Sequence, residues 1–289
     1  MDCQYFNKYD EIKFIIVRFL DFCMIEKRQA SSFYQHFDPQ ERPVVDYYTG
    51  LFNRFIFSRQ PILTNFLNPR ERFIFKKIVG NDAQILEDGG YPNAEKKRLY
   101  LSEWGDFASP EEFEIIPLNI NYNSKWNEIN HSQILGVLTS LGVEISTFGD
   151  IITDNKKDWQ FFVKKDLSSF FVDNIEKIGH SKVKLEPIDR NRVVEVNDDG
   201  IEKVETSVSL RLDTVVAAIT NLSRNQVKEA LLTKMIKLNW HDVAESNIII
   251  NVNDVLSIRH FGRVKIMEIG STKRGKYRLT LKLWQSKKR

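Results

Sequence analysis

The spacing of apolar and polar residues predicts that the first 80 residues are mainly helical. Apolar positions three and four apart predict helices over residues 10–28, 44–57 and 70–79. Proline fits the first turn of a helix and disrupts its interior. Four prolines therefore mark predicted helix starts: Pro39, Pro43, Pro61 and Pro69. Residues 1–80 are predicted to form an N-terminal helical segment whose many aromatic side chains pack in its core.

Short extended segments alternate with helices between residues 81 and 188. Strands are predicted over residues 98–101, 113–121, 149–153, 159–163 and 183–186, and helices over residues 131–141 and 167–178. The β-α-β-β-α-β order suits a ferredoxin-like split motif, in which a sheet carries two helices on one face. RNA-recognition modules and many unrelated domains share that plait, so the predicted fold does not by itself indicate a function.

The pattern changes again after residue 188. Alternating segments at 192–196 and 201–206 flank the turn residues Asn197-Asp198-Asp199-Gly200, so residues 189–206 are predicted to form a linker hairpin. Residues 207–289 are predicted to form a small α/β domain, with two short helices followed by strands at 236–239 and 255–259. The chain as a whole is therefore predicted to have an α+β fold with an N-terminal helical segment and two further domains.

The composition indicates a folded chain without a targeting or membrane segment. Hydrophobic residues make up 42% of the 289 and aromatic residues 12%, which is enough to bury sizeable cores. The N-terminus carries Asp2 and Asp10, and its most apolar stretch, residues 14–25, is interrupted by Arg18 and Asp21. We therefore expect neither a signal peptide nor a membrane span.

The cysteine and histidine content indicates a reducing compartment and no metal site. Cys3 and Cys23 are the only cysteines, too few to staple a chain of this length. The five histidines are scattered without the spacing of zinc ligands. The sequence therefore predicts a cytoplasmic protein with no structural metal.

The charge is distributed unevenly along the chain. The formal net charge is only +3, but residues 207–289 contain sixteen Lys and Arg against six Asp and Glu, a net charge of +10. The preceding 206 residues carry a net charge of −7. Local basicity of this size is typical of a surface that binds nucleic acid.

The start of the second short helix places cations where a phosphate could bind. Ser223, followed three residues later by Gln226, is a capping-box pattern that fixes where the helix begins. Arg224, Asn225 and Lys228 then lie on its first turns, where backbone N–H groups and positive charge face the same anion. Arg224 is expected to engage a phosphate with both branches of its guanidinium.

This stretch resembles the RNA-binding domain named after ribosomal small-subunit protein four, whose pattern runs R-L-D, S-R, V-x-V-N and G-D-x-[IV]-x-[VI]-R. The matching positions follow in the same order: Arg211-Leu212-Asp213, Ser223-Arg224, Ile236-Lys237-Leu238-Asn239 and Asn253-Asp254-Val255-Leu256-Ser257-Ile258-Arg259. Two glycines of the pattern are replaced, one of them by Asn253. The resemblance implies that residues 207–289 form an RNA-binding domain with a basic C-terminal extension.

The whole chain resembles the YlmH family of bacterial RNA-binding proteins. GGYPNAEKKR at 89–98 is similar to that family's G-G-Y-x-x-A-E-R-x-R, and the segment 131–151 is similar to its H-R-D-x-L-G-x-L-x-x-L-G-I-x-R-x-x-x-G-D-I. RHFGR and TKRGK resemble its R-G-x-G-R and T-K-x-G-R. The middle segment departs from the pattern, because Ser132 and Gln133 replace Arg and Asp, and Glu144 or Ile145 fills a basic position.

The resemblance implies a non-catalytic protein that binds ribosomal or transfer RNA on the large ribosomal subunit, in translation or ribosome-associated quality control. It implies no cofactor, no small-molecule substrate, no membrane partner and a monomeric state. The residues that it implies for RNA binding are Arg211, Arg224, Asn225, Lys228, Lys237, Asn239, Arg259, Arg263, Lys273, Arg274 and Lys276. The surface around Lys96, Lys97 and Arg98 in the middle domain is the next candidate. Binding mainly through phosphates is expected, because few aromatic side chains are predicted to be exposed.

Alternative functions have weaker support in the sequence. Arg211-Leu212-Asp213-Thr214 is similar to the start of the pseudouridine-synthase motif G-R-L-D-x-x-T-x-G-L, but Val215-Val216-Ala217-Ala218 then departs from it. The H-I-G-H and K-M-S-K-S patterns of tyrosyl-tRNA synthetases and the glycine-rich loop of RNA methyltransferases are missing from the sequence. The remaining alternative is a protein-interaction factor linked to cell division, with accessory RNA binding.

Overall fold

A computed structural model describes residues 27–124, 128–154, 158–196 and 200–285. The main division into compact units falls between Val194 and Glu195, and we call the two sides the N-terminal unit and the C-terminal unit. Most of the helix predicted over residues 10–28 lies outside the described residues. No helix within the described ranges combines the length and the apolar character needed to cross a membrane.

The first part of the N-terminal unit packs two helices against a three-stranded sheet. Its elements are α1 (Arg42–Ser58), β1 (Ile62–Leu67), α2 (Pro69–Val79), β2 (Gln84–Asp88) and β3 (Lys97–Ser102). The sheet order is β1-β3-β2, and both pairings are antiparallel. Pro43 and Pro69 lie in the first turns of α1 and α2, and Asn68 caps α2 through its side chain. These features confirm the two predicted helices and explain where they begin.

The prediction that the first 80 residues are helical is wrong for residues 62–67. These residues form β1, with the alternating burial of a strand, so Pro61 precedes a strand rather than a helix. β2 and β3 follow residue 80 but belong to the same sheet as β1, since β3 pairs with both β1 and β2. The sheet therefore combines strands from both sides of residue 80, where the sequence pattern predicted a boundary.

The second part of the N-terminal unit is the predicted plait. It contains β4 (Ile115–Tyr122), α3 (His131–Ser140), β5 (Phe148–Thr153), β6 (Trp159–Lys164), α4 (Ser168–Asn174), β7 (Lys177–Ile178) and β8 (Ser181–Pro187). The strand order β5-β6-β4-β8-β7 places the first strand, β4, between β6 and β8, as the split β-α-β arrangement requires. The α+β fold class and this β-α-β-β-α-β order are confirmed. α4 is shorter than predicted, because the buried Ile175 is already extended.

The C-terminal unit is a six-stranded sheet covered on one face by two helices. Its elements are β9 (Ile201–Ser207), α5 (Leu212–Thr220), α6 (Arg224–Leu232), β10 (Ile236–Leu238), β11 (His241–Asp242), β12 (Val255–Ile258), β13 (Gly262–Ser271) and β14 (Tyr277–Gln285). The strand order is β11-β10-β12-β13-β14-β9. One core joins Val216 of α5 and Val227 of α6 to Leu256, Val264 and Leu281 of the sheet.

The predicted hairpin between residues 192–196 and 201–206 is wrong. Residues 193–196 are not in a strand, and β9 pairs instead with β14, from Ile201 opposite Leu283 to Ser207 opposite Tyr277. Three residues of the predicted turn, 197–199, lie outside the described residues. Local turn residues suggested the hairpin, but the strand partner comes from about 80 positions further along the chain.

Candidate nucleic-acid interface

A buried carboxylate organises the beginning of the two helices in the C-terminal unit. Asp213 lies on the first turn of α5 and is fully buried. Arg224 donates a hydrogen bond from Nη2 to Asp213 Oδ2 at 2.6 Å, and Arg211 donates from Nε to Oδ1 at 3.2 Å. The Thr214 hydroxyl also donates to Oδ1 at 3.2 Å. One carboxylate therefore holds two arginines that are separated by thirteen positions in the sequence.

The ionised state of Asp213 is favoured despite its burial. Burial alone would raise the pKa of this carboxyl, but the hydrogen bonds from Arg211 and Arg224 outweigh it and hold the pKa well below its usual range. The two arginines remain partly open to solvent, with 38% and 55% of the side chains of Arg211 and Arg224 exposed. Both guanidinium groups are thus fixed in position at the surface.

The expected role of Arg224 requires a correction. Its Nε and Nη2 both contact Asp213 Oδ2, so this edge of the guanidinium is not available to hold a phosphate with two parallel hydrogen bonds. This pairing could not be recognised from local spacing, because Asp213 lies eleven positions before Arg224 rather than one helical turn away. Arg224 can still present its exposed part to an anion, in an orientation set by Asp213.

Helix α6 begins where the sequence predicts and presents polar residues to solvent. The Ser223 hydroxyl accepts a hydrogen bond from the Gln226 backbone N–H at 3.3 Å, and Gln226 Oε1 accepts one from the Ser223 N–H at 2.9 Å. Asn225 and Lys228 are exposed, whereas Val227 faces the core. The capping box is confirmed, and it places Asn225 and Lys228 beside the Arg224 position.

The predicted strand residues have different environments. Lys237 on β10 is half-exposed, with its Nζ 3.2 Å from Asp242 Oδ1. Asn239 has positive φ, and its amide donates to Asp254 Oδ1 at 2.8 Å and accepts from the Val255 N–H at 2.9 Å. The Asn239 side chain therefore holds the end of β10 against the start of β12. This contact has a structural role, and the RNA contact expected of Asn239 stays a prediction.

The remaining predicted residues lie beyond β12. Arg259 is exposed directly after β12, and Arg263 lies on β13 opposite Ser257. Lys273, Arg274 and Lys276 are exposed in the turn between β13 and β14, where the Thr272 N–H donates to the Lys276 carbonyl at 2.7 Å. We call residues 272–276 the hairpin tip.

The eleven predicted residues thus fall into separate groups rather than one cluster. Arg211 and Arg224 meet at Asp213, with Asn225 and Lys228 nearby on α6. Lys237 and Arg263 lie on the sheet, and Asn239 and Arg259 directly follow β10 and β12. The other three, Lys273, Arg274 and Lys276, lie in the hairpin tip.

The alternative surface around residues 96–98 is occupied by internal contacts. Arg98 is only 3% exposed and donates to the carbonyls of Thr64 at 2.7 Å and Phe113 at 2.8 Å. Lys96 Nζ donates to the Ile145 carbonyl at 3.0 Å and the Phe148 carbonyl at 3.1 Å. These side chains join the three-stranded sheet to the plait. The match of residues 89–98 to the family motif therefore has a structural explanation at Lys96 and Arg98.

The sheet face of the plait is covered in this chain. Tyr91 stacks on Phe162 of β6, with ring centroids 5.1 Å apart, and its hydroxyl donates to Asp150 Oδ2 at 2.9 Å. Burial raises the pKa of both Tyr91 and Asp150. RNA-recognition modules stack bases on aromatic side chains of the corresponding face. Phe162 lies under Tyr91 and is fully buried, so it is not available for such stacking.

Metal binding has no support from the geometry of the described part of the chain. Within those residues, no group of three or more His, Cys, Asp or Glu side chains is arranged to hold a metal ion.

Comparisons with known proteins point to RNA and the ribosome. The family model described as "Putative RNA-binding domain in YlmH" matches residues 108–192, which include the plait. The chain is 33% identical over 261 residues to "Ribosome-associated protein quality control protein P2" of Bacillus subtilis (strain 168), covering 86% of this chain and 98% of that protein. The solved structure "Cell division protein ylmH from Streptococcus pneumoniae" is 29% identical, covers 56% of this chain and 99% of its own, and gives a TM-score of 0.49.

Proposed function

This chain belongs to the YlmH family of RNA-binding, ribosome-associated proteins, and from that membership we propose that it binds structured ribosomal or transfer RNA on the large ribosomal subunit. The proposed setting is ribosome-associated protein quality control, the role named for its Bacillus relative, and the proposed location is the cytoplasm. The proposed action is binding without catalysis.

The observation that carries this proposal is the fixed pair of arginines at Asp213. Arg211 and Arg224 are held at the surface by a buried carboxylate, next to Asn225 and Lys228 on the first turns of α6. Cations that are already ordered lose less side-chain entropy when they bind a phosphate. The net charge of +10 over residues 207–289 supplies the wider attraction to RNA.

The position of Asp213 also argues against the pseudouridine-synthase alternative. A catalytic carboxylate must reach its substrate, whereas Asp213 is fully buried and its oxygens accept hydrogen bonds from two arginines and a threonine. The geometry supports a structural role for this residue in ordering a binding surface.

The proposal can be tested by reversing charge at the hairpin tip, away from the Asp213 contacts. The double variant Lys273→Glu and Arg274→Glu changes two exposed side chains of a turn, so the fold should persist. Its affinity for purified large ribosomal subunits should fall at least about tenfold, roughly 1.4 kcal/mol, because favourable phosphate contacts become repulsive. Co-sedimentation with separated large and small subunits measures the effect.

The matched control is Arg54→Glu with Lys77→Glu, which has the same charge change at exposed positions of α1 and α2. It should bind large subunits as the parent does. Equal losses in both double variants would show that only the total charge matters, and equal binding of the parent to the two subunits would argue against the large subunit as the partner. Arg224→Glu is unsuitable as a test, since it would place a second carboxylate beside the buried Asp213.

A further inference from the structure

The outer face of the C-terminal sheet carries cations and tryptophans in register. Directly paired residues of antiparallel strands point to the same side of a sheet. One row across four strands consists of Lys237, Ser257, Arg263 and Trp284. The next row consists of Val255, Lys265, Lys282 and Glu202. The helices α5 and α6 pack against the opposite face, through Leu256 and Val264.

Both tryptophans of this face are paired with a cation. The guanidinium carbon of Arg263 lies 5.8 Å from the ring centroid of Trp240, and Lys282 Nζ lies 5.7 Å from that of Trp284. Both indoles are half-buried, so each keeps part of its surface open. Gly200 lies against Trp284, since a Cβ added there would be 2.8 Å from Nε1 of the indole. These contacts fix the rings without enclosing them.

The backbone at Trp240 is unfavourable for a tryptophan. Asn239 and Trp240 form the two-residue turn between β10 and β11, with φ of 50° and 63°. Such turns favour Asn followed by Gly, because positive φ brings a side chain close to the backbone, and a bulky residue with this φ is an outlier. Trp240 therefore has a backbone conformation that glycine would adopt more easily. What tryptophan supplies at this position, and glycine would not, is the indole ring.

Two carboxylates of this face lie on its edge strands, Asp242 on β11 and Glu202 on β9, and a third, Glu268, lies on β13 after its β-bulge. Arg263, Lys265 and Lys282 lie on β13 and β14, between the two edge strands. A row that spans β10 to β14 crosses three strand spacings, about 14 Å, which leaves room for more than one nucleotide.

We propose that this outer face, which we call the tryptophan face, binds an unpaired segment of RNA by stacking bases on Trp240 and Trp284 while Arg263, Lys265 and Lys282 contact the phosphates. Aromatic rings interleaved with cations on a sheet are the usual means of binding single-stranded nucleic acid. The inference rests on the proposed function, since it takes RNA as the partner. It adds a second contact on the other side of the sheet from the Asp213 arginines, and the bound RNA must have bases free to stack.

The test compares two RNA probes with the full chain: a short single-stranded oligoadenylate and a fully paired RNA duplex of the same length. Trp240→Gly removes the ring and suits the positive φ, so the fold should persist. Its affinity for oligoadenylate should fall about fivefold or more, the effect of losing one stacked base. Its affinity for the duplex should not change, because paired bases are not free to stack. Trp284→Ala should behave in the same way.

Two further variants separate stacking from structural effects. Trp240→Phe keeps an aromatic ring and should retain most of the oligoadenylate affinity. Trp104→Ala removes an exposed tryptophan from the N-terminal unit and should bind both probes as the parent does. Equal losses on both probes, or oligoadenylate binding that is unchanged in Trp240→Gly and Trp284→Ala, would overturn the tryptophan face while leaving the proposed function intact. A parent that binds neither these probes nor ribosomal subunits would overturn the proposed function itself.

Discussion

The carboxylate of Asp213 has two opposite effects on RNA binding: its negative charge weakens binding, whereas its hydrogen bonds to the arginines favour it. As an anion close to a proposed phosphate site it repels RNA, but as a fixed acceptor it orders Arg211 and Arg224 at the surface. Sequence alone predicted both arginines as candidate RNA contacts and matched Asp213 to the R-L-D part of the RNA-binding pattern. The link between them could not be predicted, because it joins positions from two different helix starts that only the packing of α5 on α6 brings together.

Asp213→Asn separates the two effects. If ordering of the arginines dominates, the affinity for RNA should fall about fivefold or more even though the variant gains a unit of positive charge. If charge dominates, the affinity should rise. Filter binding of the full chain to ribosomal RNA at constant salt measures the difference, and a rise in affinity would contradict the ordering role.

The acid stability of the same variant provides the control for folding. The pKa of Asp213 is lower in the folded protein than in the unfolded chain, so its stabilising contribution is present above the ordinary carboxyl pKa of about 3.9. That contribution is lost as the pH falls from there toward the lower folded pKa. The parent should therefore lose more stability than Asp213→Asn over this acidic range, while both should be folded near neutral pH, where binding is measured.

At the scale of helices and strands, local patterns predicted most elements correctly. The 3.6-residue periodicity and the caps located α1, α2, α5 and α6, and the alternation of the middle region predicted the plait. β1 was missed because it is a short strand between two amphipathic helices. The prediction of a hairpin at 192–206 was wrong. The strand at 201–206 can be recognised from local alternation, but local sequence does not show that it pairs with β14.

The covered sheet face of the plait depends on Gly90. This residue has a φ of +93°, and a Cβ added to it would lie 2.4 Å from Cδ1 of Phe162. We expect Gly90→Ala to destabilise the N-terminal unit by about 1–3 kcal/mol, because it combines unfavourable φ with a clash against a buried ring. Thermal or urea unfolding of the full chain measures the change.

Gly136→Ala is the matched control. Gly136 lies on the exposed side of α3, and an added Cβ there would meet nothing within 4 Å. Alanine should stabilise this helix by up to about 1 kcal/mol, since glycine is the poorer helix former. A Gly90→Ala variant as stable as Gly136→Ala would contradict this prediction, because it would show that Tyr91 and Phe162 can separate without a loss of stability.

At the scale of the whole molecule, charge is segregated along the chain. Residues 207–289 carry a net charge of +10 and the preceding residues −7, so overall composition conceals a strongly basic part. The sequence was sufficient to locate this part but not the two surfaces within it. Strand register places Trp284 on the same face as Arg263, and the contact of Arg263 with Trp240 adds the second tryptophan; the sequence left both undetermined.

The salt dependence of binding should reflect this basic part. If the chain contacts about five phosphates, the slope of log K against log salt should be on the order of −4, given ~0.7 to 0.9 per contact. Titration of the full chain with large subunits at several salt concentrations measures it. The hairpin-tip double variant should give a shallower slope, whereas a flat response of the parent would contradict binding through phosphates.

The pairing of β9 with β14 places the start of the first strand of the C-terminal sheet beside the end of its last strand. Ile201 lies directly opposite Leu283, and the Cα atoms of such partners are about 5 Å apart. A few linking residues could therefore join these two strands, and new chain ends could be opened in an exposed turn such as 272–276. The sheet thus permits circular permutation: its strand neighbours would stay the same while the order in which the chain visits them is rotated.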